Sequence, residues 1–301
     1  RLGFQKFGCR CVFSSEIDKY AIKTYEDNFS PISFNDITEL KTKDIESTIP
    51  NHDILMAGFP CQPFSHAGLK QGFDDTRGTL FFDILRILKT KKPQSFLLEN
   101  VNHLKGHDNG RTLKIILRRL RSLGYYVPEP QTLNAKHFGL PQNRSRIFIV
   151  GFFDNFLGDY NFPERLNFKT YVGQILEPEN KIKNLDNYII SQKLWQGHQD
   201  RKERNKKLGR GFGYGGVDYE SSHTNTLSAR YYKDGGEILV LRGRGRPRKL
   251  TPRECARLQG FPNKFKLNLV SDVQFYKQFG NSVPVNVVTA VLDSMIKFMK
   301  I

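Results

Sequence analysis

Over residues 1–150 the chain alternates short apolar runs with segments of helical periodicity, and that alternation leaves few folds open. Runs at 11–15, 53–57, 95–98 and 146–153 predict strands, and 18–28, 79–90 and 111–123 predict helices. In 79–90, Leu80, Phe81, Ile84, Leu85, Ile87 and Leu88 recur at the spacing of one helical face. Gly124 follows 111–123 where a helix stop is wanted. Strands alternating with helices predict an α/β fold with a doubly wound, mostly parallel sheet. Ligands of such sheets sit beyond the C-terminal ends of the strands. Glu16, Asp36, Pro60-Cys61 and Glu99 each fall just after a strand candidate, so one rim is expected to collect them.

The character changes after Pro163. Residues 172–252 are rich in glycine and charge, with short strand candidates and few long helices, as expected of a second, smaller domain. Helical order returns over Pro252–Leu258 and again in a final helix over Val285–Met299. The expected division is a large domain of 1–171 with 281–301, a small domain of 172–252, and a hinge region of 253–280.

Net charge is +17, which favours a polyanionic partner such as nucleic acid. Residues 201–253 hold 14 Lys/Arg against 5 Asp/Glu, so over half the excess lies in about a sixth of the chain. No apolar run approaches the ~18 residues of a membrane span, and no secretory leader is seen. Four scattered cysteines and seven scattered histidines fit neither a disulfide scaffold nor a zinc site. Cytoplasmic residence, with no membrane partner, is the expectation.

Three clusters can carry chemistry. In Gly58-Phe59-Pro60-Cys61-Gln62-Pro63-Phe64-Ser65, a cysteine lies between prolines at the end of a strand candidate. It is either a positioned nucleophile or a buried structural thiol. Glu99, which opens Glu99-Asn100-Val101, is either an acid at the sheet rim or a cap for the next turn. Arg144 and Arg146 in Gln142-Asn143-Arg144-Ser145-Arg146 alternate, so they share one face of an extended chain. That face suits phosphate or base recognition, or is a solvated strand edge.

Taken together, GFPCQPFS, ENV, QNRSR, RECARLQGFP and QFGNSVPVNVV occur in the order and approximate spacing of the C5-cytosine DNA methyltransferases, and SEID resembles that family's second motif. The resemblance covers essentially the whole chain outside about 172–250. It implies a Rossmann-like methyltransferase sheet with a target-recognition domain over 172–252, S-adenosyl-L-methionine as cofactor, and double-stranded DNA as substrate. It also implies a short recognition sequence in a bacterial restriction–modification setting, with a cognate restriction endonuclease as functional partner. A monomer would suffice.

By this resemblance Cys61 adds to cytosine C6, Glu99 bonds N3 and the exocyclic amine, Arg146 contacts the base carbonyl, and Arg144 is its neighbour. The base that removes the C5 proton is not named. The target cytosine must leave the duplex stack, and a closing loop is expected from Ser65 through 66–77. Glu16 would bind the ribose hydroxyls, Ile17 would pack on adenine, and Asp36, with Ile37 beside it, would bond the adenine amine. Pro60 and Leu80 would line the pocket, with Asn281 and Ser282 closing it.

Thr226-Leu227 resembles the family's Thr-Leu pair in the recognition domain. Loops 209–216, containing Arg210, and 230–236, containing Arg230 and Tyr231, are candidate DNA readers. The run RGRGRPRK at 242–249 reads as a basic loop gripping phosphates or as a minor-groove hook.

The family's first, glycine-rich motif would precede Arg1, and Leu2-Gly3-Phe4 resembles the helix after it. The chain as written is therefore expected to bind cofactor weakly. A non-catalytic DNA-binding relative and an RNA methyltransferase are the competing classes. A dehydrogenase is disfavoured because no G-x-G-x-x-G follows the first strand candidate.

Overall fold

The computed structural model describes residues 1–60, 80–153, 158–166, 168–211, 213–243 and 245–300. Its central sheet contains β1 (Ile54–Gly58), β2 (Ser95–Val101), β3 (Tyr125–Tyr126), β4 (Gln131–Asn134) and β5 (Ser145–Phe153). Strand order is β1-β2-β5-β3, with β4 also paired to β5. β1 runs parallel to β2, and the remaining pairs are antiparallel. The α/β class stands, but the described sheet is mixed rather than mostly parallel. The difference lies in β5, which runs against β2, β3 and β4 and is a member of every antiparallel pair in this sheet.

The helices of this half are α1 (Leu2–Gln5), α2 (Lys19–Asn28), α3 (Ile45–Thr48), α4 (Leu80–Lys91) and α5 (Arg111–Arg121). Asp18 caps α2 by accepting from the backbone N–H groups of Tyr20 and Ala21 at 2.8 and 2.9 Å. Gly124, at φ +91°, takes the chain away from α5 in a conformation that disfavours side chains. Residues 11–15 form no strand. Their pairing is a single parallel bridge from Ser15 to Phe34, reinforced by Ser15 Oγ donating to the Asn35 carbonyl.

The second half contains α6 (Gln192–Lys207), β6 (Gly216–Val217) paired with β7 (Leu239–Val240), α7 (Pro252–Leu258), α8 (Asp272–Asn281) and α9 (Val285–Met299). α7 begins with a capping box. Thr251 Oγ1 accepts from the Glu254 N–H, Glu254 accepts from the Thr251 N–H, and Pro252 needs no partner there.

β2 and β5 are apolar on both faces because both faces are covered. Phe96, Leu98, Ile147 and Ile149 pack with α4 and α5, while Leu97, Phe148, Val150 and Phe152 pack with α9. Phe96 lies opposite Gly151, where a Cβ would overlap its ring. A third core joins Val172, Leu227, Tyr231 and Leu250 to Cys255 and Leu258 of α7 and Phe275 and Phe279 of α8. The stretch Asp272–Met299 is long and apolar enough to cross a membrane by length and composition alone. It is divided at Ser282–Pro284 into α8 and α9, whose apolar residues enter two of these cores.

Candidate active site

The C-terminal ends of β1 and β2 meet the N-terminal end of β5. Gly58 is in register with Glu99, and Val101 with Arg146. Glu99 and Arg146 are diagonal neighbours on one face and form an ion pair, Nε to Oε1 at 3.0 Å. Their side chains are only 12% and 14% exposed. Burial pushes the Glu99 carboxyl above its ordinary value, against the opposing pull of Arg146 and Arg144. Burial also lowers Arg146, while Glu99 holds it up. The result is a desolvated carboxyl group that takes a proton more readily than an exposed glutamate, with a guanidinium fixed beside it.

Asn100, one residue on, faces the other way. Its buried Nδ2 donates to the Phe59 carbonyl at 2.8 Å. The Phe59 ring packs on Phe81 of α4 at 5.5 Å between centroids. The backbone leading to Pro60 is thus held from two sides. Sequence reasoning took Asn100 only as part of a motif, and nothing in the sequence shows that it ties two strand ends together. Cys61 and Ser65 lie outside the described residues.

Glu16 and Asp36 come together because the Ser15–Phe34 bridge lays their loops side by side, with the Glu16 N–H donating to the Phe34 carbonyl at 3.3 Å. Glu16 Oε1 accepts from the Ile17 and Asp18 N–H groups, each at 2.9 Å. Ile17 is 68% exposed, an apolar side chain standing in the open. Asp36 accepts from the Thr38 hydroxyl and N–H, and these bonds hold its carboxyl below the usual range. Ile37 packs against the small core of Leu40, Ile45, Ile49 and Ile87. Pro60 is exposed at the end of β1, and half-buried Leu80 opens α4. Asn281 ends α8, exposed, and Ser282 caps it.

Several arginines and one tyrosine have roles other than those expected. Arg144 is fully buried, and although its charge is felt by Glu99, its guanidinium is taken up by backbone carbonyls. It donates to the carbonyls of Leu227 (2.7 Å), Gly280 (2.8 Å) and Ser282 (2.8 Å). Gln142, also buried, donates to the Leu258 carbonyl and accepts from the Leu227 N–H. The start of β5 is therefore a polar knot holding residues 227, 258 and 280–282. Gly280 belongs to it, since a Cβ there would strike the backbone of Ser228 and Ala229.

Leu227 and Tyr231 are fully buried. Tyr231 donates to the Ile238 carbonyl and accepts from the Leu250 N–H, so its hydroxyl is spent in the core and cannot meet DNA. Thr226 donates to the Asn143 carbonyl at 2.6 Å, while Arg210 and Arg230 are exposed. In the run at 242–249, Arg248 is completely buried against Glu254, and Arg242 pairs with Glu179 at 2.8 Å. Neither is a free phosphate grip, because each already has a carboxylate.

The family model for C-5 cytosine-specific DNA methylases matches residues 1–297. Type II methyltransferase M.NlaX of Neisseria lactamica is 56% identical, covering 98% of this chain and 92% of that protein. Type II methyltransferase M1.ScrFI of Lactococcus lactis subsp. cremoris is 55% identical, covering 100% of this chain and 76% of that protein. The crystal structure of the Dnmt2 methyltransferase of S. pombe superimposes with a TM-score of 0.76 at 18% identity, covering 100% of this chain and 95% of that one, a likeness of fold. The buried carboxyl–guanidinium pair at the sheet rim sits within that match, and the chain belongs to the C-5 cytosine-specific DNA methylase family.

Proposed function

We propose that this DNA cytosine methyltransferase takes one cytosine out of duplex DNA, adds Cys61 to its C6, and places a methyl group on C5. The observation that carries the reading is the desolvated Glu99–Arg146 pair, whose strand register sets Glu99 opposite Gly58, three residues before Cys61. Addition of the thiolate to C6 makes the ring enamine-like and moves electron density onto C5. Glu99 bonds N3 and the exocyclic amine, and its raised proton affinity favours charge neutralisation at N3 as the adduct forms. Arg146 keeps Glu99 in place and contacts the base carbonyl. Loss of the C5 proton and release of Cys61 restore the aromatic ring.

The residues present fit S-adenosyl-L-methionine. Glu16 and Asp36 offer carboxylate oxygens on adjacent loops, and Ile17 presents an apolar surface suited to a purine face. When bound, that cofactor supplies an electrophilic methyl group. Pro60, Leu80, Asn281 and Ser282 complete the pocket in this reading. Residues 172–252 serve as the target-recognition region, with Arg210, Thr226 and Arg230 toward DNA. The Type II relatives support a modification role beside a restriction endonuclease.

The test is incubation with methyl-tritiated S-adenosyl-L-methionine and duplex DNA of varied sequence, followed by nucleoside analysis. Label in 5-methylcytosine is expected, and excess transfer RNA leaves the rate unchanged. Label in RNA alone, or no label despite demonstrated DNA and cofactor binding, would overturn the reading.

Glu99→Gln keeps the size of the side chain and removes its titration. Its kcat is expected to fall by about 10²–10⁴ with DNA affinity nearly unchanged. In the unaltered enzyme kcat falls as pH rises through the raised Glu99 pKa, and the variant loses that limb. Single-turnover rates across pH check both points, and a variant with the parent rate and profile rules out the assigned role.

A further inference from the structure

We infer that a basic groove beside the catalytic rim grips the sugar-phosphate backbone of the duplex flanking the target cytosine. This rests on the DNA methyltransferase reading above. The groove encloses about 350 Å³ between the turn Ala135–Phe138 and residues 168–171, and Lys136, His137, Phe168, Lys169, Tyr171 and His223 line it.

No carboxylate lines this groove, and neither Lys136 nor Lys169 has an ion pair among the described residues. In the 242–249 run, by contrast, Arg242 and Arg248 are already paired with Glu179 and Glu254. The charged side chains that line the groove are the cations Lys136 and Lys169. Burial, Arg165 and Lys136 push His137 below its ordinary value, and burial and Lys136 do the same to His223. Phe168 and Tyr171 are 55% and 47% exposed, so the cations stand beside apolar surface. An exposed apolar patch rimmed by polar groups marks an interaction site, and unpaired lysines suit phosphate.

Hydrogen bonds link the turn that carries Lys136 to the catalytic rim. Asn134 Nδ2 donates to Asn143 and to Ser145, the residue before Arg146, at 2.6 and 2.9 Å. Asn134 Oδ1 accepts from the Lys136 N–H at 3.2 Å. A polar line thus runs from the Glu99–Arg146 pair through Ser145 and Asn134 to Lys136, all at one end of the sheet. A duplex presenting a base to Glu99 carries its backbone past that end.

The experiment compares the unaltered protein, Lys136→Ala/Lys169→Ala, and Lys114→Ala/Arg118→Ala on the exposed face of α5. The two variants lose the same charge. Binding of a long duplex is titrated against salt, with melting temperatures confirming folding. Lys136→Gln/Lys169→Gln is used if the alanine pair fails to fold. The groove variant is expected to flatten the slope of log K against log salt by roughly 0.9 per lost contact, about 2 in all. Its KM for DNA rises, while kcat and the KM for cofactor do not change. The α5 variant keeps the parent slope, and a duplex trimmed to the target and its immediate neighbours removes the difference between groove variant and parent. An unchanged slope in the groove variant, or equal flattening in both variants, overturns the inference while methylation by the unaltered protein leaves the proposed function standing. A protein that neither binds nor methylates duplex DNA overturns both.

Discussion

Alanine at position 61 is expected to abolish methyl transfer, by on the order of 10⁴-fold or more, while duplex binding stays near that of the parent. Cytosine C5 is a poor nucleophile until something adds to C6, and in the proposed mechanism Cys61 supplies that addition. A thiol with the ordinary pKa of about 8.5 is only a few per cent ionised at neutral pH, yet its thiolate is intrinsically far more nucleophilic than an alcohol. Serine at 61 therefore fails as well. The chain reaches Cys61 directly after Phe59 and Pro60, and Asn100 anchors the Phe59 carbonyl. Duplex DNA carrying 5-fluorocytosine is the measurement, because fluorine at C5 blocks the final elimination. The parent forms a labelled complex that survives a denaturing gel, and Cys61→Ala forms none. A trapped complex in the alanine variant would assign the nucleophile elsewhere.

Glu254→Ala is expected to destabilise the protein by about 3–5 kcal/mol, the scale of removing one partner from a buried ion pair. Both side chains of the Arg248–Glu254 pair are fully buried. Glu254 accepts two bonds from Arg248, at 2.7 and 2.8 Å, and one each from the Glu177 and Thr251 N–H groups, both at 2.8 Å. Alanine leaves a guanidinium without its counter-charge and two backbone donors without acceptors. Glu179 offers only partial relief, its Oε1 standing 3.8 Å from Arg248 Nε. Denaturant titration measures the loss. Replacing Arg248 by methionine in the same chain recovers part of it, because the uncompensated charge is then gone. A single-variant loss below about 1 kcal/mol would show that Arg248 re-pairs with Glu179.

Much of the site was legible because its signals are local. Short continuous apolar runs place β2 and β5, and a Thr-Pro-x-Glu start places α7. The ENV and QNRSR motifs marked Glu99 and Arg146 one by one, and the antiparallel register of β2 on β5 then brings them into an ion pair. Glu16, Asp36 and their neighbours were likewise marked by motif and by position after strand candidates.

Other residues carried no such signal. Arg144 and Arg146 look alike in sequence, and their alternation does place them on one face. One reaches Glu99, while the other disappears among three carbonyls contributed by residues 83 to 138 positions away. Arg248 sits in the most basic run of the chain, yet it is the most deeply buried arginine there. Tyr231 looked like a reader of DNA and is a core residue.

The sequence by itself determined the family, the α/β class, the elements β1, β2, β5, α2, α4, α5, α7 and α9, and the candidate residues at the sheet rim, while α6 and α8 went unread. Each of these follows from periodicity, capping chemistry or motif order within a short window. Tertiary structure alone decided which cations remain free for DNA and which are consumed in holding the chain together. A charge reads the same in sequence whether water or a distant carboxylate solvates it. Only the folded chain brings Glu254 to Arg248 and leaves Lys136 and Lys169 without a partner among the described residues.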